Sequence, residues 1–338
     1  MRLLATKPAL MLLTLLCSVV LCGCNSAKQA ANTPTPTPTP TPATATVAAG
    51  TNPVAVAVNS ATNQIYVVNY GSGDVTVIDG ATNNTTTVAV GSAPDAVAVN
   101  PVTNQIYVAN SNSGNVTVID GATNNTTTVA AGTNPVAVAV NSATNQIYVA
   151  NSNSNSVTVI DGATNNTTTV AVGNTPWAVA VNPNTNQIYV VNSYLLQTGG
   201  NVTVIDGATN NTTTVATGAN PWDVAVNSVT NQIYVVNGAL PLSLTVIDGA
   251  TNNTTTVATG ANALSYGDNP WDLAVNSMTN QIYVAYGNGG NVTVIDGATN
   301  NTTTVASGTD PRAVAVNSVT NQIYVVNSNS NSVTVLTP

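Results

Sequence analysis

The sequence has no histidine, no glutamate and no phenylalanine, and four basic residues in 338. Each absence removes a class of chemistry. Without histidine there is no imidazole base near neutral pH, and no imidazole ligand for a metal or a haem. Binding to a phosphate backbone or an anionic bilayer depends on clustered Lys and Arg. Nucleic acid is therefore not expected as a partner, nor is a membrane held by charge. Cysteine stops at Cys24, after Cys17 and Cys22, so the remainder has no disulfide, thiol nucleophile or thiolate metal site. Charged residues are 5% of the chain, against about 25% in ordinary soluble proteins. Loss of a leader ending at residue 23 would leave Lys28 and Arg312 against twelve Asp, a net charge of −10. With so few catalytic groups the chain is expected not to be an enzyme, and no cofactor or metal is expected.

What is present begins with a targeting pattern. Arg2 and Lys7 precede an apolar stretch from Pro8 to Leu21, short for a membrane span and suited to a signal-peptide core. Leu21-Cys22-Gly23-Cys24 follows and resembles a bacterial lipobox. That resemblance implies cleavage after residue 23 and lipid on Cys24, the one expected tie to a membrane. It places the protein in the cell envelope, outside the cytoplasm. Residues 24–43 form a lipidated stalk in which Thr and Pro alternate from Thr33 to Pro42. Proline fixes its own φ and extends the residue before it. From Asn25 to Ala43 such a spacer would reach roughly 60 Å.

Residues 44–338 are one repeat written seven times. Copies start at Pro53, Pro94, Pro135, Pro176, Pro221, Pro270 and Pro311, spaced 41, 41, 41, 45, 49 and 41 residues apart. Each holds short runs rich in Val, Ile, Tyr and Thr, separated by Asn, Ser, Gly and Asp. In the first copy these are Val54–Asn59, Gln64–Asn69, Val75–Asp79 and Thr85–Val90. Four strands at this period give an all-β, seven-bladed β-propeller, with strands a to d running outward in each blade. The seventh copy ends after strand c, at Leu336, while TATVAAG at Thr44–Gly50 matches TTTVAVG at Thr85–Gly91. The N-terminal strand is expected to complete the last blade and close the ring. The recurring NQIYVVN, VTVID and Pro-led VAVN segments resemble the YVTN-family propeller repeat of prokaryotic surface and periplasmic proteins, over about 290 residues. That resemblance implies a binding or surface role.

Repeated polar motifs have local explanations. Asp79, Asp120, Asp161, Asp206, Asp248 and Asp296 each open an IDGATNN turn. One carboxylate per turn suits an Asx turn better than a calcium site. The Asn-Asn-Thr-Thr sequons, beginning at Asn83, are copied with the repeat and carry no separate meaning.

Function is sought where copies differ. Alternating strand direction puts a–b and c–d turns on one face, which is nearly uniform. The b–c and d–a loops lie on the other. There Trp177, Trp222 and Trp271 follow the repeat-start Pro in blades four to six, Asp223 and Asp272 come next in two of them, and Arg312 holds the position in blade seven. Tyr194 and Tyr266 sit in lengthened loops, and Tyr286 replaces the Asn that ends strand b. These nine residues are the candidate ligand or partner site. Two readings stay open for each Trp: a recognition patch, or packing between blades in register with Val179, Val224 or Leu273. The expected role is a non-catalytic binding or scaffold module for a protein or cell-envelope polymer. Lateral self-association through uncharged outer strands is the alternative. Oligomeric state is left open.

Overall fold

In the computed structural model the described residues are 47–193, 199–259, 270–287, 290–317, 321–327 and 332–337. They contain strands and turns and no helix. Strands follow the repeat. In blade one, strand a is Pro53–Asn59, b is Gln64–Asn69, c is Asp74–Asp79 and d is Thr85–Ala89. Each pairs antiparallel with the next in the order a-b-c-d. Six blades repeat this meander, and the seventh has three described strands. The seven blades are arranged in a ring.

The core is a series of inter-blade layers. Tyr and Val on strand b of one blade meet Ile and Val on strand b of the next. Tyr107 on strand b and Val116 on the adjoining strand c, for example, pack with Ile147 and Val149. Equivalent clusters fill every junction from blades one and two to blades six and seven. Tyr66, Tyr107, Tyr148, Tyr189, Tyr234 and Tyr283 are the largest fully buried side chains. A β-branched strand carrying one aromatic gives flat sheets that stack face to face.

A polar girdle runs beside the apolar layers on the uniform face. In blades one to six the last residue of strand a is a buried Asn that donates to an Asn of the next blade. Asn59 Nδ2 donates to Asn104 Oδ1 at 2.7 Å and Asn141 to Asn186 at 2.7 Å. The link recurs at Asn100, Asn182, Asn227 and Asn276. Acceptors Asn104 to Asn321 have φ between 53° and 56°, which Asn tolerates because its amide bonds locally.

At the ends of the series the matching surfaces lie open. Val54, Val56 and Val58 of blade one are 45%, 60% and 59% exposed, and Val335 of blade seven is 40% exposed. The expected closing strand falls largely on Thr44–Thr46, outside the described residues. Val47 and Ala48, which align with the end of strand d, form no described ladder pairing. Gly50 nevertheless abuts Asn69 and Ser72 as Gly132 abuts Asn151 and Ser154, so the chain enters blade one in the register of the other blades. The leader, Cys24 and the stalk also lie outside the described residues.

Candidate functional site

The uniform face is set by its turns. Asp79 Oδ1 accepts the Ala81 and Thr82 N–H groups, both at 2.9 Å. The same pair of bonds recurs at Asp120, Asp161, Asp206, Asp248 and Asp296. These bonds hold each carboxyl below its usual range. The repeated Asp is thus the Asx turn expected of it, with acceptor capacity spent on backbone.

The other face differs because of one backbone device. Each strand a begins with an irregularity: in blade four the pairing skips from Pro176 to Ala178. Trp177 is the skipped residue, and Trp222, Trp271 and Arg312 are its counterparts. A bulged residue leaves the strand's alternation. This takes Trp177 and Trp271 out of the register of the packing alternative, while Trp222 is half-buried against the blade five–six cluster. Val224 and Leu273 go into the core, whereas Trp177 and Trp271 stay 42% and 37% exposed.

The indoles form a file across three blades. Trp177 meets Trp222 edge-on with centroids 5.8 Å apart, and Trp222 meets Trp271 at 6.1 Å. Arg312 lies over Trp271, 4.0 Å from the ring centre, and its Nε donates to both Asp310 oxygens at 3.1 and 3.0 Å. Room for the file comes from glycine. A Cβ on Gly238 or Gly287 would stand within 2.4 Å of the Trp222 or Trp271 indole nitrogen. The residue after strand b is Gly in these two blades, against Tyr70, Ser111, Ser152 and Ser193 in blades one to four. Trp222 Nε1 is buried with no hydrogen-bond partner.

Three predicted site residues turn inward. Asp223 accepts Val224 N at 2.8 Å and Leu273 N at 3.1 Å, and Asp272 accepts Val314 N at 2.8 Å. Each therefore stitches its inner strand to that of the next blade. Their carboxyls also bond each other. Burial raises both from the usual carboxylate value, Asp272 the more, with Asp223 beside it adding charge repulsion. Tyr286 is 2% exposed in the blade five–six cluster, and burial pushes its hydroxyl up to about 12. A ligand over this face would not touch Tyr286, whereas the Asp pair is half-buried with its oxygens engaged by backbone. Tyr194 and Tyr266 lie outside the described residues. The sequence reading missed Asp310 and the two glycines. Their signals were departures at fixed repeat positions: Asp310 stands before the repeat Pro where blades one, three, five and six have Asn.

The same face carries a shallow depression of about 470 Å³ over blades two and three, floored by Ser, Asn, Thr and Gly. No group of three or more metal-ligating side chains occurs among the described residues.

Comparisons with known proteins speak to the fold. No family model matches the chain, and no curated protein matches it. Among solved structures it is similar to Kuenenia stuttgartiensis hydrazine synthase, with TM-score 0.75, 20% identity, and coverage of 88% of this chain and 99% of that one. It is also similar to U3-55K, with TM-score 0.68, 9% identity and coverage of 85% and 96%. The RRP9 WD40 repeats give TM-score 0.67, 10% identity and coverage of 82% and 88%. Likeness at such identity concerns the propeller itself. It does correct one expectation. The absence of enzymatic activity, inferred from the shortage of catalytic side-chain types, does not stand, because the same architecture occurs in a structure named as an enzyme. The inference counted residue types and overlooked environment: two half-buried carboxyls with raised proton affinity are not ordinary Asp.

Proposed function

We propose that the protein is a lipid-anchored propeller of the YVTN kind, held outside the cytoplasm through Cys24, that binds a protein or cell-envelope polymer at the Trp177–Trp222–Trp271–Arg312 file. The observation that carries this reading is the file itself. Ordinary burial would put large aromatics inside. Here a bulge leaves Trp177 and Trp271 exposed on either side of a half-buried Trp222, in a molecule whose described tyrosines are mostly buried. Rigid, mutually packed indoles lose little freedom on binding, which favours them as contact residues. Residues 24–43 act as the spacer and Thr44–Gly50 as the ring's closing strand. Nucleic acid is not a partner in this reading.

The test is capture of envelope material by the full chain and by Trp177→Ala/Trp271→Ala. Both rings are more than a third exposed, so the variant should fold, with melting close to the parent, and lose capture. Unchanged capture by a folded variant counts against the reading.

A second reading rests on the outer strands. Thr85, Thr86 and Thr87 are exposed on an uncharged edge, and the pattern repeats in the other five described outer strands. Such edges can pair laterally. Light scattering that shows a monomer at high concentration removes it.

A further inference from the structure

Accepting the binding role proposed above, we infer that the ligand of the aromatic face is an uncharged polysaccharide with equatorial hydroxyls. Three features of the face lead there.

The first is charge. Among the described residues of blades four to seven, the ionic groups of this face satisfy one another. Arg312 is held by Asp310 and lies over Trp271. Asp223 and Asp272 are half-buried and bonded to backbone N–H groups. A polyanion meets one cation, already paired with Asp310, and a basic peptide meets carboxyls already engaged by backbone or by Arg312. The complementary partner is neutral.

The second is the state of the strand edges. A peptide adding to a propeller's inner strands needs open backbone N–H groups. In blades six and seven those of Leu273 and Val314 are already capped, by Asp223 and Asp272. Strand addition is blocked beside the aromatic file.

The third is the surface that remains. The indoles make a continuous apolar strip, with neighbouring rings 5.8 and 6.1 Å apart. On the same face, the depression over blades two and three is lined mainly by hydroxyl, amide and backbone groups, from Ser111, Ser113, Thr133, Asn134, Ser154 and Ser156. One half-buried carboxyl, Asp95, stands at the bulge position of blade two. An all-equatorial pyranose has the matching division: C–H groups on its flat faces and hydroxyls around its rim. Its faces stack on indole while its rim exchanges hydrogen bonds with Ser and Asn. A polymer of such sugars is long enough to use both halves.

The experiment uses the detergent-solubilised full chain, with cellohexaose and chitohexaose as uncharged probes, oligogalacturonate as a charged one and a proline decapeptide as a peptide control. Indole emission and calorimetry are read at low and high salt. At least one uncharged hexasaccharide should bind and shift the emission. Its affinity should be nearly independent of salt, and should fall at least about tenfold in Trp177→Ala/Trp271→Ala. Phenylalanine at both positions should restore part of it. If neither hexasaccharide binds, or binding ignores these substitutions, the inference is overturned. Trp-dependent binding of the decapeptide or of an envelope protein, without sugar binding, overturns the glycan and leaves the binding role standing. No Trp-dependent binding of anything overturns both.

Discussion

The two faces of this propeller are written with one repeat and stabilised by opposite arrangements. On the uniform face, six exposed Asp each bond two N–H groups of their own turn, and six buried Asn each reach one blade onward. Every bond there has copies around the ring. The divergent face keeps one repeated bond, from the Asn that ends strand b to a Thr of strand c (Asn69 Nδ2 to Thr76 Oγ1 at 2.9 Å, for example). It adds links that occur once or twice: a pair of half-buried carboxyls, one Arg–Asp pair and one file of three indoles. Repetition serves the scaffold, since a propeller's stability is summed over equivalent neighbour contacts. Departure from repetition is where one surface becomes unlike the others.

That contrast can be broken at its strongest point by Asn141→Ala. The change removes the donor to Asn186 and the acceptor of Ala143 N in the middle of the girdle. Orphaned buried polar groups of this kind cost about 2 kcal/mol. Urea unfolding should show a loss of that order with the aromatic face unaffected; a loss near zero would mean water replaces the girdle.

Next in size is a difference in pH response. The turn Asp have lowered folded values, so their contribution is present above the unfolded value of about 3.9 and fades as pH falls through the folded one. Asp223 and Asp272 are raised, so the folded state holds protons more tightly than the unfolded chain. Their contribution is full below about 3.9 and is lost as pH rises through their folded values. Urea stability followed from pH 3 to 8 should therefore decline toward neutrality in the parent and stay flatter in Asp223→Asn/Asp272→Asn. The acid loss should persist in both. Parallel curves above pH 4 would show that the pair is not protonated.

The smallest effect sharpens the local geometry. Gly238→Ala sets a methyl against Trp222 Nε1 and should cost about 1 kcal/mol, with a shift in indole emission. Gly199→Ala, which meets nothing within 4 Å, is the control.

The scaffold was legible because every signal came in multiple copies. Strand bounds, the Asp turns and the orientation of the loops followed from period and turn chemistry alone. The inter-blade Asn link was not read, although Asn59 and its counterparts are invariant within the repeat, because a bond 45 residues away leaves no local pattern. The candidate site was half legible. Its positions stood out as departures, but their directions did not, since alternation predicts facing only where the ladder is regular. The bulge after each repeat Pro left Trp177 and Trp271 exposed and Trp222 half-buried, and set the carboxyls of Asp223 and Asp272 against the next blade's inner strand.

The central claim is that recognition belongs to the departures and not to the repeat. Capture of envelope material by two full-length variants tests it most directly. One carries Trp177→Val, Trp271→Val and Arg312→Val, restoring the residue type that blade one has at Val54; the other carries Asp79→Ala, Asp120→Ala and Asp161→Ala on the uniform face. The first should stay folded and lose capture while the second keeps it. Capture retained by the first, or lost only in the second, would contradict the account.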